Sequence, residues 1–270
     1  MNQNDFVYIN KPFAEIKKVN IDKLSELRVI LVSPGAGLIN MFGHTLLHLV
    51  LDGQEDIVMS YRGVVHDIKM SKLKGLTYLY QIRPFCFSLD RAIFEYTTNL
   101  NRSMTSYKLN LTSEELVKAK NNITHDYWNY KGGYHFIARN CVHGVFQLLQ
   151  NSFSRKISNS FFNYNPTLCI QKLFKLDLIT ERDKIFFKSL ENCNEQESLI
   201  KCERFKKYKS RLDTSLVELA KKRSNSLPFK EKELVEVAYE QFVLDREHID
   251  ICIETNKNLE INQYLDGLCQ

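Results

Sequence analysis

Arg139-Asn140-Cys141-Val142-His143-Gly144-Val145-Phe146-Gln147-Leu148-Leu149, together with the earlier Phe42-Gly43-His44-Thr45-Leu46-Leu47-His48, sets the pattern of this chain. Asn140 is a good N-cap, and Val142, Val145, Phe146 and Leu149 recur at helical spacing, so a buried helix with Cys141 in its first turn is predicted. Unpaired N–H groups and the positive end of the helix dipole stabilise a thiolate there and can draw a cysteine below its usual ~8.5. The same N–H groups suit an oxyanion hole. The segment from Gly43 to Val50 reads as a buried strand, and period two turns His44 and His48 to one side. Four residues at ~3.3 Å each separate the two imidazoles by about 13 Å, so both cannot meet one thiol. His44 is the expected base and His48 a structural residue.

Outward from these stretches the chain alternates short strands with helices. Val29-Ile30-Leu31-Val32 is a strand ending at the loop Ser33-Pro34-Gly35-Ala36-Gly37, whose spacing is not that of a phosphate cradle. Asp52-Gly53 is a hairpin signal after which Asp56 to Gly63 returns antiparallel. Lys74 to Ile82 reads as another strand, broken after it by Pro84. Asp90 to Thr98 is helical, and Ser106 to Leu111 alternates as a strand. Thr112 caps a helix with Glu115 three residues on, running to about Asn122. Tyr127 to Tyr134 reads as an aromatic loop. After Gln150, a Ser- and Asn-rich connector leads to helices at Pro166–Leu176, Ile179–Leu190, Leu199–Lys222 and Lys230–Thr255.

Composition sets broad limits. With 270 residues, 44% hydrophobic and 26% charged, the chain is an ordinary globular protein. A net charge of +5 permits an anionic partner without demanding one. The cluster Lys201, Arg204, Lys206, Lys207, Lys209 and Arg211, interrupted by Glu203 and Asp213, reads as a solvated helix face; it leaves room for peripheral contact with an anionic membrane, while nucleic acid is not expected. No apolar run approaches the ~20 residues that span a bilayer. Seven scattered cysteines without CxxC spacing read as reduced thiols. The N-terminal Met1 to Tyr8 has neither a basic segment nor an apolar core, so the expected location is cytoplasmic, with signal-less secretion as the alternative. Zinc fits poorly with the spacing of His44, His48, Cys141 and His143, and no cofactor is implied.

The order of His before Cys resembles circularly permuted members of the NlpC and papain-like superfamily. Among them is the lecithin:retinol acyltransferase group, whose Asn-Cys-x-His signature is similar to Asn140-Cys141-Val142-His143. A wider resemblance joins Phe42-Gly43-His44-Thr45, Tyr107-Lys108-Leu109-Asn110-Leu111-Thr112-Ser113-Glu114-Glu115-Leu116 and Tyr134-His135-Phe136 ahead of Asn140-Cys141. In order and spacing, from about Ser33 to Leu149, these motifs resemble the Lnb N-terminal periplasmic domain family. The absence of an export signal departs from that family, whose members are exported.

The resemblance implies an α+β fold: a permuted papain-like or NlpC-like core (28–155) with an antiparallel sheet and a catalytic helix, preceded by an arm (1–27) and followed by a helical C-terminal region (156–270) packed on it. It implies Cys141 as nucleophile, His44 as base and a third polar group on the next strand. Ser60 is the first candidate for that group, with Tyr61, His66 and His48 behind it. Asn140, His143 and Tyr61 are the expected supports around the oxyanion and the pair. The expected activity is cysteine-dependent acyl transfer or hydrolysis on an ester or amide, lipid-linked in the family. The alternatives are a cysteine peptidase or amidase cleaving a peptide, and a non-catalytic scaffold on the same fold.

Overall fold

The computed structural model describes residues 5–10, 15–35, 42–64, 72–154 and 165–189. Strands β1 (Asp5–Asn10) and β2 (Glu15–Asn20) form a hairpin where an arm or helix was expected. Among the described residues the main sheet has seven strands. They are β3 (Leu24–Val32), β4 (His44–Leu51), β5 (Ile57–Val64), β6 (Tyr80–Ser88), β7 (Met104–Lys108), β8 (Gly133–Tyr134) and β9 (Ile185–Phe187), in the order β8-β6-β5-β4-β3-β7-β9. Every pairing is antiparallel. The helices are α1 (Lys72–Leu76), α2 (Leu89–Ile93), α3 (Ser113–Asn129), α4 (Cys141–Ser152) and α5 (Pro166–Lys175), and α2 runs on into a π-helical turn at Phe94–Asn99. The fold is α+β.

Period-two alternation assigns each sheet face its own layer. Leu47, Leu49 and Leu51 of β4 join Met59 and Tyr61 of β5 against Val142, Val145, Phe146 and Leu149 of α4 and Ala119 and Ile123 of α3. Leu46 faces the other way, with Ile30, Val32, Val58 and Met104, under Ala92 of α2 and Tyr96 of the π-helical turn. Fully burying one such Leu, Val, Ile or Phe side chain stabilises the fold by about 1.5–3 kcal/mol, so α4 is held mainly by its apolar stripe. Its approach to the sheet is set by Gly144, where a Cβ would lie 2.3 Å from Cγ of Tyr61. Tyr61 is itself fixed, edge-on to Tyr130 with ring centroids 4.9 Å apart and its hydroxyl donating to Asp126 of α3.

Three local readings are corrected by the structure. The segment from Lys74 forms α1 first, and β6 starts only at Tyr80 and passes straight through Pro84. Beyond Gln81 the outer side of β6 has no described partner strand, and an edge is where a proline's missing N–H is tolerated. Helix α3 continues to Asn129 and takes in Tyr127 and Trp128, because Tyr127 extends the Ala119–Ile123 stripe into the same core. The capping box at its start is complete, Glu115 N donating to Thr112 Oγ1 (3.2 Å) and Thr112 N to Glu115 Oε2 (3.0 Å). The segment after Ile179 supplies β9 rather than a helix. Its pairing from Met104–Phe187 to Ser106–Ile185 covers the edge of β7 that would otherwise stand open. The helices expected at 199–222 and 230–255, the basic cluster from Lys201, His66 and four of the seven cysteines lie outside the described residues.

Candidate active site

His44 is the first residue of β4, and the residue before it fixes where it starts. Gly43 has φ +85°, and a Cβ on it would stand 2.7 Å from the carbonyl oxygen of Val32, so the chain can enter β4 this close to β3 only through glycine. His44 Nε2 lies 3.0 Å from Ser60 Oγ on β5, the first candidate for the third group. The alternation on β5 adds Arg62 to the same face. Its Nε donates to Ser60 Oγ (3.1 Å), and its Nη2 to Tyr96 Oη (2.9 Å) and Glu95 (3.2 Å). Arginine can only donate, so it occupies one lone pair of Ser60 and leaves the other able to accept from His44 Nε2–H. With Nε2–H donating to Ser60, His44 Nδ1 is the basic nitrogen, and it carries no hydrogen bond among the described residues. Tyr96 stacks on the imidazole, with ring centroids 5.8 Å apart and planes 27° apart.

Cys141 is the first residue of α4. Asn140 caps that helix from both ends of its amide: Oδ1 accepts from Val142 N (3.0 Å) and His143 N (3.3 Å), and Nδ2 donates to Phe136 O (2.9 Å). The preceding turn is closed by reciprocal bonds between His135 and Arg139, and His135 Nδ1 accepts from the backbone N–H of Ile137 and Ala138. The Tyr134-His135-Phe136 motif thus acts locally, shaping the turn that delivers Cys141. The thiol is buried, and burial pushes it up to about 11. Backbone N–H groups of Thr45, Val142 and Cys141 itself pull the other way, as does the positive charge of Arg102.

His44 and Cys141 sit in different layers yet open on one pocket of about 510 Å³. The imidazole leaves the face of β4 that carries Leu46, whereas α4 packs on the face that carries Leu47, and the pocket lies at the end of the sheet where the two layers meet. Tyr61, Arg62, Glu95, Tyr96, Arg102 and Asn140 also line it. No hydrogen bond joins Sγ to the imidazole among the described residues. Burial and the charges of Arg62 and Arg102, opposed by Glu95, hold His44 down to about 3. Both shifts favour the uncharged forms, thiol on Cys141 and imidazole on His44. Tyr61 contributes a pocket wall, while its hydroxyl is engaged by Asp126. His143, half-buried with its pKa lowered by burial and by Arg139, does not line the pocket.

Arg62, Glu95, Tyr96 and Arg102 were not singled out from the sequence. Arg62 had a signal, since it stands two residues after Ser60 on one strand. The others come from the π-helical turn and the loop after it, where no periodicity announces a site. Arg102 Nε donates to Ser33 O (2.7 Å), and its guanidinium lies 5.8 Å from the Tyr96 ring centroid.

A second polar network joins Ser, His and Asp as a serine triad does, but with the two imidazole nitrogens exchanged and none of a triad's access. His48 Nδ1 lies 3.1 Å from Ser106 Oγ and its Nε2 3.1 Å from Asp56 Oδ2, but Ser106 is wholly buried and also accepts from Arg28 Nε (3.0 Å). The network ties β3, β4 and β7 together, and His48 does not line the pocket that His44 and Cys141 share.

The family model described as the Lnb N-terminal periplasmic domain matches residues 13–175, more than half of the chain. The chain belongs to the Lnb N-terminal periplasmic domain family. The match begins ahead of β2 and ends with α5, so it takes in both His44 and Cys141. It also corrects the cytoplasmic expectation, because the family is described as a periplasmic domain. That expectation had been drawn from hydropathy at one end of the chain, and the fold that carries the site holds no record of its compartment. The reduced state of the thiols was tied to the same argument and loses that support; Cys86, Cys141 and Cys169 are nonetheless free thiols. No curated protein and no solved structure matches the chain. No helix among the described residues is long and apolar enough to cross a membrane.

Proposed function

We propose that this protein is a thiol acyltransferase or hydrolase built on a permuted papain-like core, with Cys141 as nucleophile, His44 as base and Ser60 as the group that orients the base. The observation that carries this reading is the common pocket. A cysteine at a capped helix start and an imidazole with one nitrogen occupied by a neighbouring strand open on the same cavity. As an acyl donor arrives, the Cys141 S–H proton passes to His44 Nδ1 while sulfur bonds to the carbonyl carbon. Charge on the carbonyl oxygen is met by the N–H groups at the start of α4 and at Thr45. Collapse of the adduct breaks the bond to the leaving alcohol or amine, which takes the proton from the imidazolium. An amine or water then attacks the thioester, its proton going to His44, and the thiol is restored as the acyl group leaves.

Apolar walls contributed by Phe42, Leu76, Phe136, Ile137 and Pro166 favour an acyl chain over a peptide backbone, which would need hydrogen-bonding partners along its length. The test is direct. The protein is incubated with a medium-chain p-nitrophenyl ester and digested, and the acylated peptide is sought by mass spectrometry. A thioester on Cys141, absent in Cys141→Ser and formed about 10²-fold or more slowly in His44→Ala, is expected. An unmodified Cys141, or a rate indifferent to His44, would overturn the assignment and leave the scaffold reading.

A further inference from the structure

The mouth of the pocket is more apolar than solvent-facing structure normally is. Leu73 is 72% exposed, Leu79 69%, Ile137 51% and Leu76 47%. Leu76 and Ile137 also line the pocket, and Leu73 stands one turn before Leu76 on α1. The two segments that carry them are joined: Phe136 N donates to Gly75 O (3.0 Å), and Tyr78 and His135 place their rings 4.6 Å apart. These residues are thus one rim, not scattered leucines. A contiguous apolar rim of this kind on a soluble fold marks a contact surface.

Charge identifies what it contacts. From Ile68 to Leu89 the sequence contains Lys69, Lys72, Lys74 and Arg83 and no Asp or Glu. From Tyr127 to Leu176 it again has no acidic residue, while Lys131 and Arg139 lie in the part that builds the rim. Lys74, which follows Leu73 on α1, and Lys131 are exposed. Leucines that would enter an acyl layer, next to cations that would stay at phosphate level, fit an anionic bilayer. A protein partner would leave the one-sided charge unexplained unless it were acidic throughout.

We propose that the rim formed by α1, the turn after it and the 135–139 turn is a membrane-docking surface, seated on anionic lipid with the pocket opening into the bilayer interface. This deepens the acyl-transfer reading, on which it relies for its purpose: a pocket that opens into lipid can take an acyl chain without first passing it through water.

The experiment is vesicle sedimentation of the full chain, without any acyl donor, on phosphatidylcholine vesicles with or without about one third phosphatidylglycerol. The expected result is binding that requires phosphatidylglycerol and weakens with salt. Leu73→Glu/Leu79→Glu, at positions that neither line the pocket nor are buried, should lower partitioning about tenfold or more. Lys74→Gln/Lys131→Gln should lower it about fivefold per lysine. Thermal unfolding and formation of the Cys141 thioester with a water-soluble ester serve as controls and should match the wild type in both variants. Equal sedimentation of wild type and the leucine variant overturns the proposal, as does equal binding to neutral and anionic vesicles. Sedimentation equilibrium supplies the third outcome: a wild-type dimer that the leucine variant dissolves, without vesicle binding, would mean that a second copy covers the rim. Failure of the thioester test with intact vesicle binding would remove the chemistry and keep the surface.

Discussion

Replacing His44 with Gln should flatten the acid dependence of folding stability, and the sign follows from the neutral imidazole. Burial and two guanidinium groups hold His44 at about 3 in the fold, against an unperturbed 6.5. As pH falls below 6.5 the unfolded chain takes up this proton and the folded one does not, so the wild type loses stability down to about pH 3 and gains nothing above pH 7. Those two values give a loss of about 2 kcal/mol at pH 5 and about 3 kcal/mol at pH 4, upper bounds because the ring is part-exposed at the pocket wall and solvent screens it. The chain has one tryptophan, Trp128 on α3 packed at the edge of the main core, so its fluorescence reports global unfolding. Urea titrations at pH 7, 5 and 4 on wild type and His44→Gln should show the variant losing less stability on acidification. Parallel curves would refute the reasoning. A wild type that loses less than the variant would be more telling, since it would mean a raised pKa and hence a thiolate–imidazolium pair.

Other expected outcomes concern the scaffold around the pair. Gly144→Ala drives a Cβ to within 2.3 Å of the fully buried Tyr61 ring and should cost about 3 kcal/mol in urea unfolding, lowering thioester formation as α4 shifts. Thr45 is wholly buried and its hydroxyl has no hydrogen-bond partner among the described residues, so Thr45→Val should raise stability by about 1 kcal/mol, read as a higher urea midpoint. Ser106→Ala should cost about 1–3 kcal/mol by orphaning His48 Nδ1 and Arg28 Nε, yet leave the thioester rate unchanged. Ser60→Ala should cost a similar amount by orphaning His44 Nε2 and Arg62 Nε, but should also slow thioester formation about tenfold or more.

Much of this was legible in the sequence because it depends on local rules. Asn140 caps α4, Thr112 and Glu115 form their box, Asp52-Gly53 turns β4 into β5, and the alternation on β5 puts Ser60 within reach of His44. The layer assignment was not legible. Period two correctly put His44 and His48 on one side, but a one-residue alternation cannot say which side receives a helix arriving much later in the chain. Here α4 packs on the face carrying Thr45 and Leu47, so Cys141 and His44 meet only at the open end of the sheet. The same gap hid Arg62, Glu95 and Arg102, whose charges matter only because the fold gathers them around one imidazole. The depressed thiol pKa expected of a helix start did not hold either. Backbone N–H donors and Arg102 do lower it, but burial outweighs them.

That last inversion bears on how the site would work. With Cys141 at about 11 and His44 at about 3, separate proton transfer from thiol to imidazole would cost about 11 kcal/mol before any attraction between the resulting charges. That cost disfavours a standing ion pair; in the proposed reaction it would be met during bond formation, when sulfur loses its negative charge to the carbonyl oxygen and N–H donors engage it. For the proposed reaction this means proton transfer coupled to attack rather than a preformed thiolate. The same neutrality has a protective side. Oxidants and disulfide partners attack the thiolate, and at pH 7 a thiol of pKa about 11 holds only about one part in ten thousand in that form. For a domain whose family is described as periplasmic, a compartment in which free thiols are oxidised, a cysteine that resists ionisation is the kind that can persist as a thiol, which the proposed chemistry requires.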